Sequence, residues 1–508
     1  MLFEEDDFAW VTAHATVSQP RIKRLIPTNA GDWRGGIASL QEAVFRAQQS
    51  GVSLTATGAG WSLSDVLDAP GWLLATRQLN AVPFLGLNEQ QSPHPRRGRM
   101  VFAQGGIEVG NLNEILALRG ASLSTTGASC GQTLAGALST GTHGSAIKIG
   151  AIHDTVRGLH LVVGRDRHVL LERATEPVVT DEFCTQLGAE RISNDAVFNA
   201  ALVSFGTFGL IHAAIVEVEP LFELTRHRFR LPYVSGLDGF GANPDSSLRV
   251  PDGVRSIVSD ELYHVDMVMN PNDVREAGII TQAIKNEGNV LNPENRRYND
   301  QNPLHLGRAD DVVEFVSRLQ SILRGLANPQ VRKQLKKLEL ERYPETGHAP
   351  EKGVLGELFA RTDFPPGGTS IEIGVPAADT AKAVKLTIDA VNTGAQAFAG
   401  LVAVRFVPQS MATLAFSRFG PTCTIEIPAM GGHKSDSVFR RVLKSIDRAG
   451  IDYTLHWGQA LYFEPRDVVA MYGPERVAAW QNARASLLDT AGQATFRNRA
   501  ALRAGLID

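Results

Sequence analysis

SCGQTLAGALSTGTHGS, residues Ser129 to Ser145, is the stretch on which the fold of this chain turns. Its seventeen residues hold four glycines, six hydroxyl side chains and one histidine, with no carboxylate, lysine or arginine. Small residues let a backbone approach a ligand closely, and hydroxyls and N–H groups supply donors in little space. The composition is poor material for a regular strand or helix and predicts a loop folded against a large, flat or phosphate-bearing ligand. A second glycine turn, Gly58-Ala59-Gly60-Trp61-Ser62, follows the strand-like run Val52–Thr57. Taken alone, that turn is a weak signal and equally a plain tight turn.

Working outward, apolar spacing predicts a helix over Ile37–Gln49, a strand over Met100–Gln104 and a helix over Val109–Leu118 stopped by Gly120. Gly158–Gly164 and His168–Glu172 read as a hairpin around Arg165-Asp166, and Leu210–Val218 as a long alternating strand. Residues 1–35 read as an irregular wrapping arm. Beyond Pro220 the pattern weakens, with helical spacing only at Arg308–Leu326 and at Val331–Tyr343, whose lysines and arginines read as a solvated face. From Thr369 regularity returns: strands at Ser370–Val375, Gly400–Pro408, Cys423–Ile427 and Ile451–Leu455, with helices at Asp379–Val391 and Ser435–Ala449. These β-α-β-like units predict one sheet covered by helices on a single face. A last helix is expected near Glu475–Leu488.

The chain has 508 residues, enough for two or more domains. Its hydrophobic content of 43% and charged content of 20% are ordinary for a globular protein, and a formal net charge of -4 argues against nucleic acid or anionic membrane as a partner. Cys130, Cys184 and Cys423 are odd in number and far apart, so no disulfide framework is indicated. The acidic start MLFEEDDFAW lacks the features of a signal peptide, and no apolar run approaches the ~18 residues of a membrane span. A cytoplasmic location is the expectation.

TGAGWS (Thr57–Ser62), AGALSTGTHGS (Ala135–Ser145) and SFGTFGLI (Ser204–Ile211), in that order, resemble the FAD-binding domain of the vanillyl-alcohol oxidase and p-cresol methylhydroxylase flavoprotein family. Within that family the resemblance is to the sugar, aldonolactone and alditol oxidases. LHWGQALYF (Leu455–Phe463) is similar to their HWGK motif, and LLDTAGQATFRN (Leu487–Asn498) to their DPxGxFxN tail, with Thr490 in place of proline. The resemblance covers roughly residues 15–220 and 365–500. It implies an α+β fold: a two-part FAD-binding domain of the p-cresol methylhydroxylase type over 1–220, with a return segment at about 465–508. A substrate or cap domain over 221–464 would carry an antiparallel sheet covered by helices. Carried over residue by residue, it implies that Ala56, Gly58, Ala59, Gly60, Trp61 and Ser62 cradle the pyrophosphate side of FAD. Thr126, Gly127, Thr133, Gly136, Ala137, Ser139, Thr140, Thr142, His143 and Gly144 would line the adenosine and flavin, and Gly209 and Ile211 would close the adenine side. A GxGxxG dinucleotide fold is excluded, because the turn after Thr57 has neither a following amphipathic helix nor a suitably spaced acidic partner. No metal site is implied.

The departures from the family pattern bear on chemistry. Trp61 stands where many relatives carry the histidine that bonds the flavin, and Cys130 is one place away from the cysteine that others use, so FAD is expected to be non-covalent. The sugar-oxidising relatives carry an E-x-R pair; here Ala403-Val404-Arg405 keeps only the arginine. Alcohol oxidation by a flavin needs a proton acceptor. Glu426, in TIEI, is the expected base, with Arg405 beside it; a structural Arg405–Glu426 ion pair is equally open. His456 is a base or a flavin contact, Gln459 replaces the HWGK lysine as an uncharged donor, and Glu372, in EIGVP, reads as structural. The resulting expectation is an FAD-dependent oxidoreductase acting on a CH–OH group of a small molecule, reoxidised by oxygen or another acceptor. The alternatives are flavin-dependent amine oxidation or oxidative cyclisation, and a degenerate flavin- or ligand-binding protein.

Overall fold

The computed structural model describes residues 1–231, 237, 239–250, 262–272, 278–286, 328–342, 350–359, 367–393, 398–431 and 433–508. Strands β1 (Leu2–Val11) and β2 (Ser18–Pro27) form an antiparallel hairpin, so the first residues are regular structure and not an irregular arm. Charges hid this from the sequence: Glu4 and Glu5 on β1 pair with Lys23 and Arg24 on β2, while Ile22 and Leu25 point into the core. β3 (Leu54–Thr57) and β4 (Trp72–Ala75) extend the hairpin in parallel, in the order β1-β2-β4-β3.

The second sheet contains β5 (Met100–Gln104), β6 (Ala121–Leu123), β7 (Val156–Val162), β8 (His168–Glu172), β9 (Glu190–Ser193) and β10 (Leu210–Pro220). Its order is β5-β10-β7-β8-β9, with β6 pairing the far end of β10. β10 runs through the centre and is buried continuously from His212 to Val218. A helix over Gly35–Gln49 buries Leu40, Ala43, Val44 and Ala47, the face expected from its spacing. Inside the glycine-rich stretch Ser129–Ser145 there is a helix, Leu134–Thr140, where only a loop was expected. Thr133 caps its start by accepting from the Gly136 N–H, and Gly141, at φ +79°, ends it in the left-handed conformation that glycine adopts without strain. Small side chains here serve close packing as well as loop geometry: Ala137 and Leu138 are fully buried.

The third sheet is antiparallel throughout. It contains β11 (Glu223–Leu231), β14 (Leu262–Met269), β15 (Gly278–Asn286), β16 (Glu351–Gly353), β17 (Gly368–Pro376), β18 (Val402–Val407), β19 (Thr422–Met430) and β20 (Thr454–Leu455). Their order is β16-β11-β15-β14-β18-β19-β17-β20; two short strands between β11 and β14, β12 (Gly241–Ala242) and β13 (Leu248–Arg249), form a hairpin of their own. Helices Thr380–Val391 and His433–Arg448 each bury an apolar stripe, Ala383, Val384 and Ile388 on one and Phe439, Val442 and Ile446 on the other. The helix expected at Arg308–Leu326 lies outside the described residues; the next is seen over Asn328–Arg342. Residues after Pro465 return to the first two sheets, where Trp480 donates to the Val203 carbonyl at 3.2 Å, Arg484 to that of Thr207 at 2.9 Å, and Arg503 pairs with Asp65 at 2.7 Å. Among the described residues no helix is long and apolar enough to cross a membrane.

One polar feature lies inside the second sheet. His212 on β10, His160 on β7 and His168 on β8 form a hydrogen-bonded chain, with ring nitrogens 3.0 Å and 2.9 Å apart. Burial, and secondarily the neighbouring rings, holds His160 well below its ordinary value; burial lowers His212 to about 4. His160 and His212 are therefore neutral near pH 7, and burial is the main reason that they resist an added proton. Because these folded-state values lie below the unfolded value of 6.5, the native state binds fewer protons in acid. Their contribution is complete above pH 6.5 and is lost as pH falls toward 4. The urea midpoint should accordingly fall between pH 6.5 and about 5, and His212→Gln should flatten that slope. A midpoint independent of pH over this range would contradict the assignment.

Candidate functional site

The three glycine-containing segments of the sequence converge on one groove. Two cavities, one larger than the other, meet at Gly58, Val66, Leu67, Thr133, Gly136 and Thr140. The smaller runs toward the start of β10, past Ala56, Ser139, Phe205, Gly209 and Ile211. The larger passes Ala59, Gly60, Trp61, Ser62 and Thr142 and ends on His143, Glu372, Arg405, Glu426, His456 and Gln459.

Hydrogen bonds between distant segments hold this arrangement. The Leu63 N–H and the Ser62 hydroxyl donate to the Gly458 carbonyl at 2.8 and 3.2 Å, and the Ser64 hydroxyl donates to that of Trp457 at 2.7 Å, so the first glycine turn is fixed to the HWGQ segment. The Phe406 N–H donates to Ser145 Oγ at 2.9 Å, tying the second glycine stretch to β18. Gly58 lies so near the cap of helix Leu134–Thr140 that a Cβ there would sit 1.9 Å from Thr133 Oγ1. Glycine at this position is a requirement of close approach.

The charged end of the groove follows from strand register. Glu372 on β17 is directly opposite Glu426 on β19, and Ala403 on β18 is opposite Glu426 on its other side. Two facing carboxylates repel. Arg405, two residues along β18 and therefore on the same face as Ala403, lies between them and offsets one of the two charges. Its Nη1 is 2.6 Å from Glu426 Oε2 and 3.6 Å from Glu372 Oε1. The carboxylate missing from the E-x-R pattern at Ala403 is thus supplied across the strands by Glu426. Burial works against the Arg405 charge, but Glu426 and then Glu372 overcome it and raise its value further. Burial raises Glu426, with Arg405 opposing and Glu372 reinforcing the shift. Burial would raise Glu372 also, but His143 beside it, helped by His456 and Arg405, brings it well below the usual carboxylate range.

All four residues expected to be catalytic line the groove, with different freedom to act. Glu426 is engaged by three donors: Arg405, Gln459 Nε2 at 3.2 Å and Ser370 Oγ at 3.4 Å. Neither nitrogen of His456 is available as a base: Nε2 donates to the Gly141 carbonyl at 3.2 Å and Nδ1 accepts from the Gly458 N–H at 3.1 Å, and burial lowers the ring to about 4. Its geometry is that of a brace between the glycine stretch and the HWGQ turn. Glu372, read from sequence as structural, is a groove residue. His143, Glu372 and His456 bring metal-capable atoms within 4.8 Å of one another, but the commitment of His456 to the backbone leaves two donors, too few for a metal set.

Of the expected cofactor residues, Thr126, Gly127, Ala137 and Gly144 do not line either cavity and pack behind it; Gly144 lies against the Thr126 carbonyl, and Ala137 is fully buried. Cys130 is likewise behind the wall, its thiol donating to the Phe359 carbonyl at 2.6 Å, with burial pushing it up to about 11. The sequence missed His14, which the tip of the β1–β2 hairpin delivers into the groove, 6.3 Å from the Trp61 ring; the Ala13 N–H donates to the Gly60 carbonyl at 2.9 Å. It also missed Phe205 and Gln132, the latter inside the stretch first singled out.

The groove fits FAD on its own chemistry. Two adjoining cavities form it, Gly58 and Gly136 lie where they meet, and among the described residues no lysine or arginine other than Arg405 lines it. Thr57 Oγ1, Gln132 Oε1 and Gln459 Oε1 are buried along it without a hydrogen-bond partner among the described residues, atoms that a polar ligand would satisfy.

The groove thus lies between the glycine-rich segments of the first part of the chain and one face of the third, antiparallel sheet. Residues 35–170 match the FAD binding domain family, so the chain carries an FAD-binding domain. It is 31% identical over 181 residues to D-arabinono-1,4-lactone oxidase of Eremothecium gossypii, a match covering 36% of this chain and 30% of that one. It is 25% identical over 250 residues to L-gulonolactone oxidase of Mus musculus, covering 49% of this chain and 48% of that one. The chain thus matches from about a third to half the length of these relatives. Its fold is that of cholesterol oxidase from B. sterolicum, with a TM-score of 0.69 at 13% identity over 99% of this chain and 97% of that one.

Gly58→Ala should overpack the Thr133 contact by roughly 1–3 kcal/mol and weaken FAD binding by about 10- to 100-fold, measured by equilibrium dialysis. Gly58→Ala with Thr133→Ala, which opens the space, should recover part of the affinity. Unchanged affinity in the single variant would show that the turn does not touch the cofactor.

Proposed function

We propose that this protein is an FAD-dependent oxidoreductase that removes a hydride from the carbon and a proton from the oxygen of a CH–OH group of a small hydroxylated molecule. The observation that carries this reading is the buried group Glu372–Arg405–Glu426 at the end of a groove that otherwise suits a dinucleotide. Bound FAD supplies the hydride acceptor, at flavin N5.

The chain's own residues supply the rest. Gly58, Ala59, Gly60 and Ser62 hold the pyrophosphate side through backbone and hydroxyl groups, and Gly209 and Ile211 close the adenine end. Thr140, Thr142 and Gln459 face the flavin end. Arg405, fixed by Glu426, orients the substrate oxygen, and the walls of the groove exclude water from the reacting carbon. The rebuilt carboxylate–arginine pair favours alcohol oxidation over loss of catalysis. Names among the relatives, lactone oxidases and a cholesterol oxidase, support the same reaction class. Oxygen or another small acceptor would return the cofactor to its oxidised state.

The flavin is non-covalent in this reading. Trp61 occupies the place of the linking histidine, and the Cys130 thiol is turned away into a hydrogen bond with the Phe359 carbonyl. Purified protein should be yellow, acid precipitation should leave FAD in the supernatant, and anaerobic addition of a panel of alditols, sugars and aldonolactones should bleach the absorbance with at least one member. Colour retained in the pellet would overturn the non-covalent assignment, and its loss in His14→Ala would place the bond on His14. A flavin that dithionite reduces but no hydroxylated compound reduces would overturn the reaction.

A further inference from the structure

Glu426 and His456 have their polar atoms committed elsewhere, yet the oxidation of an alcohol needs a place for the hydroxyl proton. The groove contains another pair. His143 Nε2 and Glu372 Oε1 are 3.3 Å apart, both residues line the larger cavity, and both atoms are buried with no hydrogen-bond partner among the described residues. Their contact is one of charge and not of a directed hydrogen bond. The His143 ring is fixed: its Nδ1 is 2.9 Å from the Gly144 carbonyl, to which it donates, and its face stacks on Phe416 at 5.2 Å. That donation places the hydrogen on Nδ1 and leaves the Nε2 lone pair directed at the groove.

We infer that His143 Nε2 is the proton acceptor for the substrate hydroxyl and that Glu372 is its positioning residue, stabilising the imidazolium once formed. The inference rests on the reading of the groove as an alcohol-oxidation site. In the step, the substrate O–H bond breaks and its proton moves to His143 Nε2. The C–H electron pair leaves as hydride to the cofactor, and the oxygen's electrons complete the C=O bond.

Charge bookkeeping favours this assignment. The charged groups facing His143 are Glu372 from β17, Arg405 from β18 and Glu426 from β19, with His456 and His153 as neutral rings nearby. With His143 neutral, the buried group holds two carboxylates against one guanidinium; a proton on His143 balances it. Burial disfavours that proton, but the Glu372 carboxylate and the Gly144 carbonyl prevail and raise His143 above 6.5. Above its midpoint the ring is neutral and keeps the raised affinity for a proton that a general base requires.

The test uses FAD-loaded full-length protein in two arms. In the first, histidines carry a ¹³C label at Cε1 and are titrated by NMR without substrate, the His143 signal being identified by its absence from His143→Asn, which keeps a donor to Gly144. The midpoint should lie above 6.5 and fall by about one pH unit or more in Glu372→Gln. In the second arm, anaerobic flavin reduction is followed by stopped flow with whichever panel compound bleaches the flavin. The rate should rise with pH through the same midpoint, fall roughly 100-fold or more in His143→Asn, and keep its midpoint in Glu426→Gln. Reduction in His143→Asn with the parental rate and pH profile, or a His143 midpoint unmoved by Glu372→Gln, would overturn the inference while leaving alcohol oxidation in place. A panel in which no compound reduces the flavin, with the NMR shift still present, would overturn the reaction reading, and the base role with it.

Discussion

The interaction on which the site depends is the Arg405 guanidinium held between Glu426 and Glu372. Adjacent strands place the two carboxylates face to face, an arrangement that a buried sheet does not tolerate without a cation. Arg405 is 2.6 Å from one and 3.6 Å from the other. Removing one partner of such a buried group leaves an uncompensated charge, a cost of about 3–5 kcal/mol. The pair is therefore weak evidence for a role in net stability and stronger evidence for a site: an apolar sheet face would be easier to build. The opposite face shows what such a surface looks like, with Ile371, Ile373, Val404, Ile425 and Ile427 all fully buried.

The other constraint is the space between Gly58 and Thr133. These residues belong to different segments, yet their contact brings the strand-to-turn Leu54–Ser62 against the helix Leu134–Thr140. The groove floor forms where they meet. From there the hydrogen bonds of Ser62, Leu63 and Ser64 to the HWGQ turn, and of Ser145 to β18, align the groove floor with the third sheet. Neither sheet alone contains a complete site; the registry between them does.

Sequence carried much of this because glycine and hydroxyl requirements are local. The strand Met100–Gln104 and the hairpin strand His168–Glu172 lie where alternation and turn chemistry place them. Small-residue composition misled at Leu134–Thr140, since residues that permit close approach also permit a tightly packed helix capped by Thr133. The hairpin β1–β2 was hidden because β1 carries the run of acids Glu4–Asp7 in place of an alternating apolar pattern, and with it His14 was missed. The place of Glu372 in the groove was not legible either. A single strand cannot show that a glutamate within it will be set opposite another glutamate; only cross-strand register does so. The same register explains how Ala403 coexists with a carboxylate–arginine pair, which sequence spacing reported as half lost.

The most direct test of the account is a crystal structure of the protein grown with FAD. The account predicts the adenine beside Gly209 and Ile211, the pyrophosphate over Gly58–Ser62, and the isoalloxazine ring facing His143, Glu372, Arg405 and Gln459. A cofactor bound outside this groove, or bound in it with the flavin ring at the Ile211 end, would contradict it.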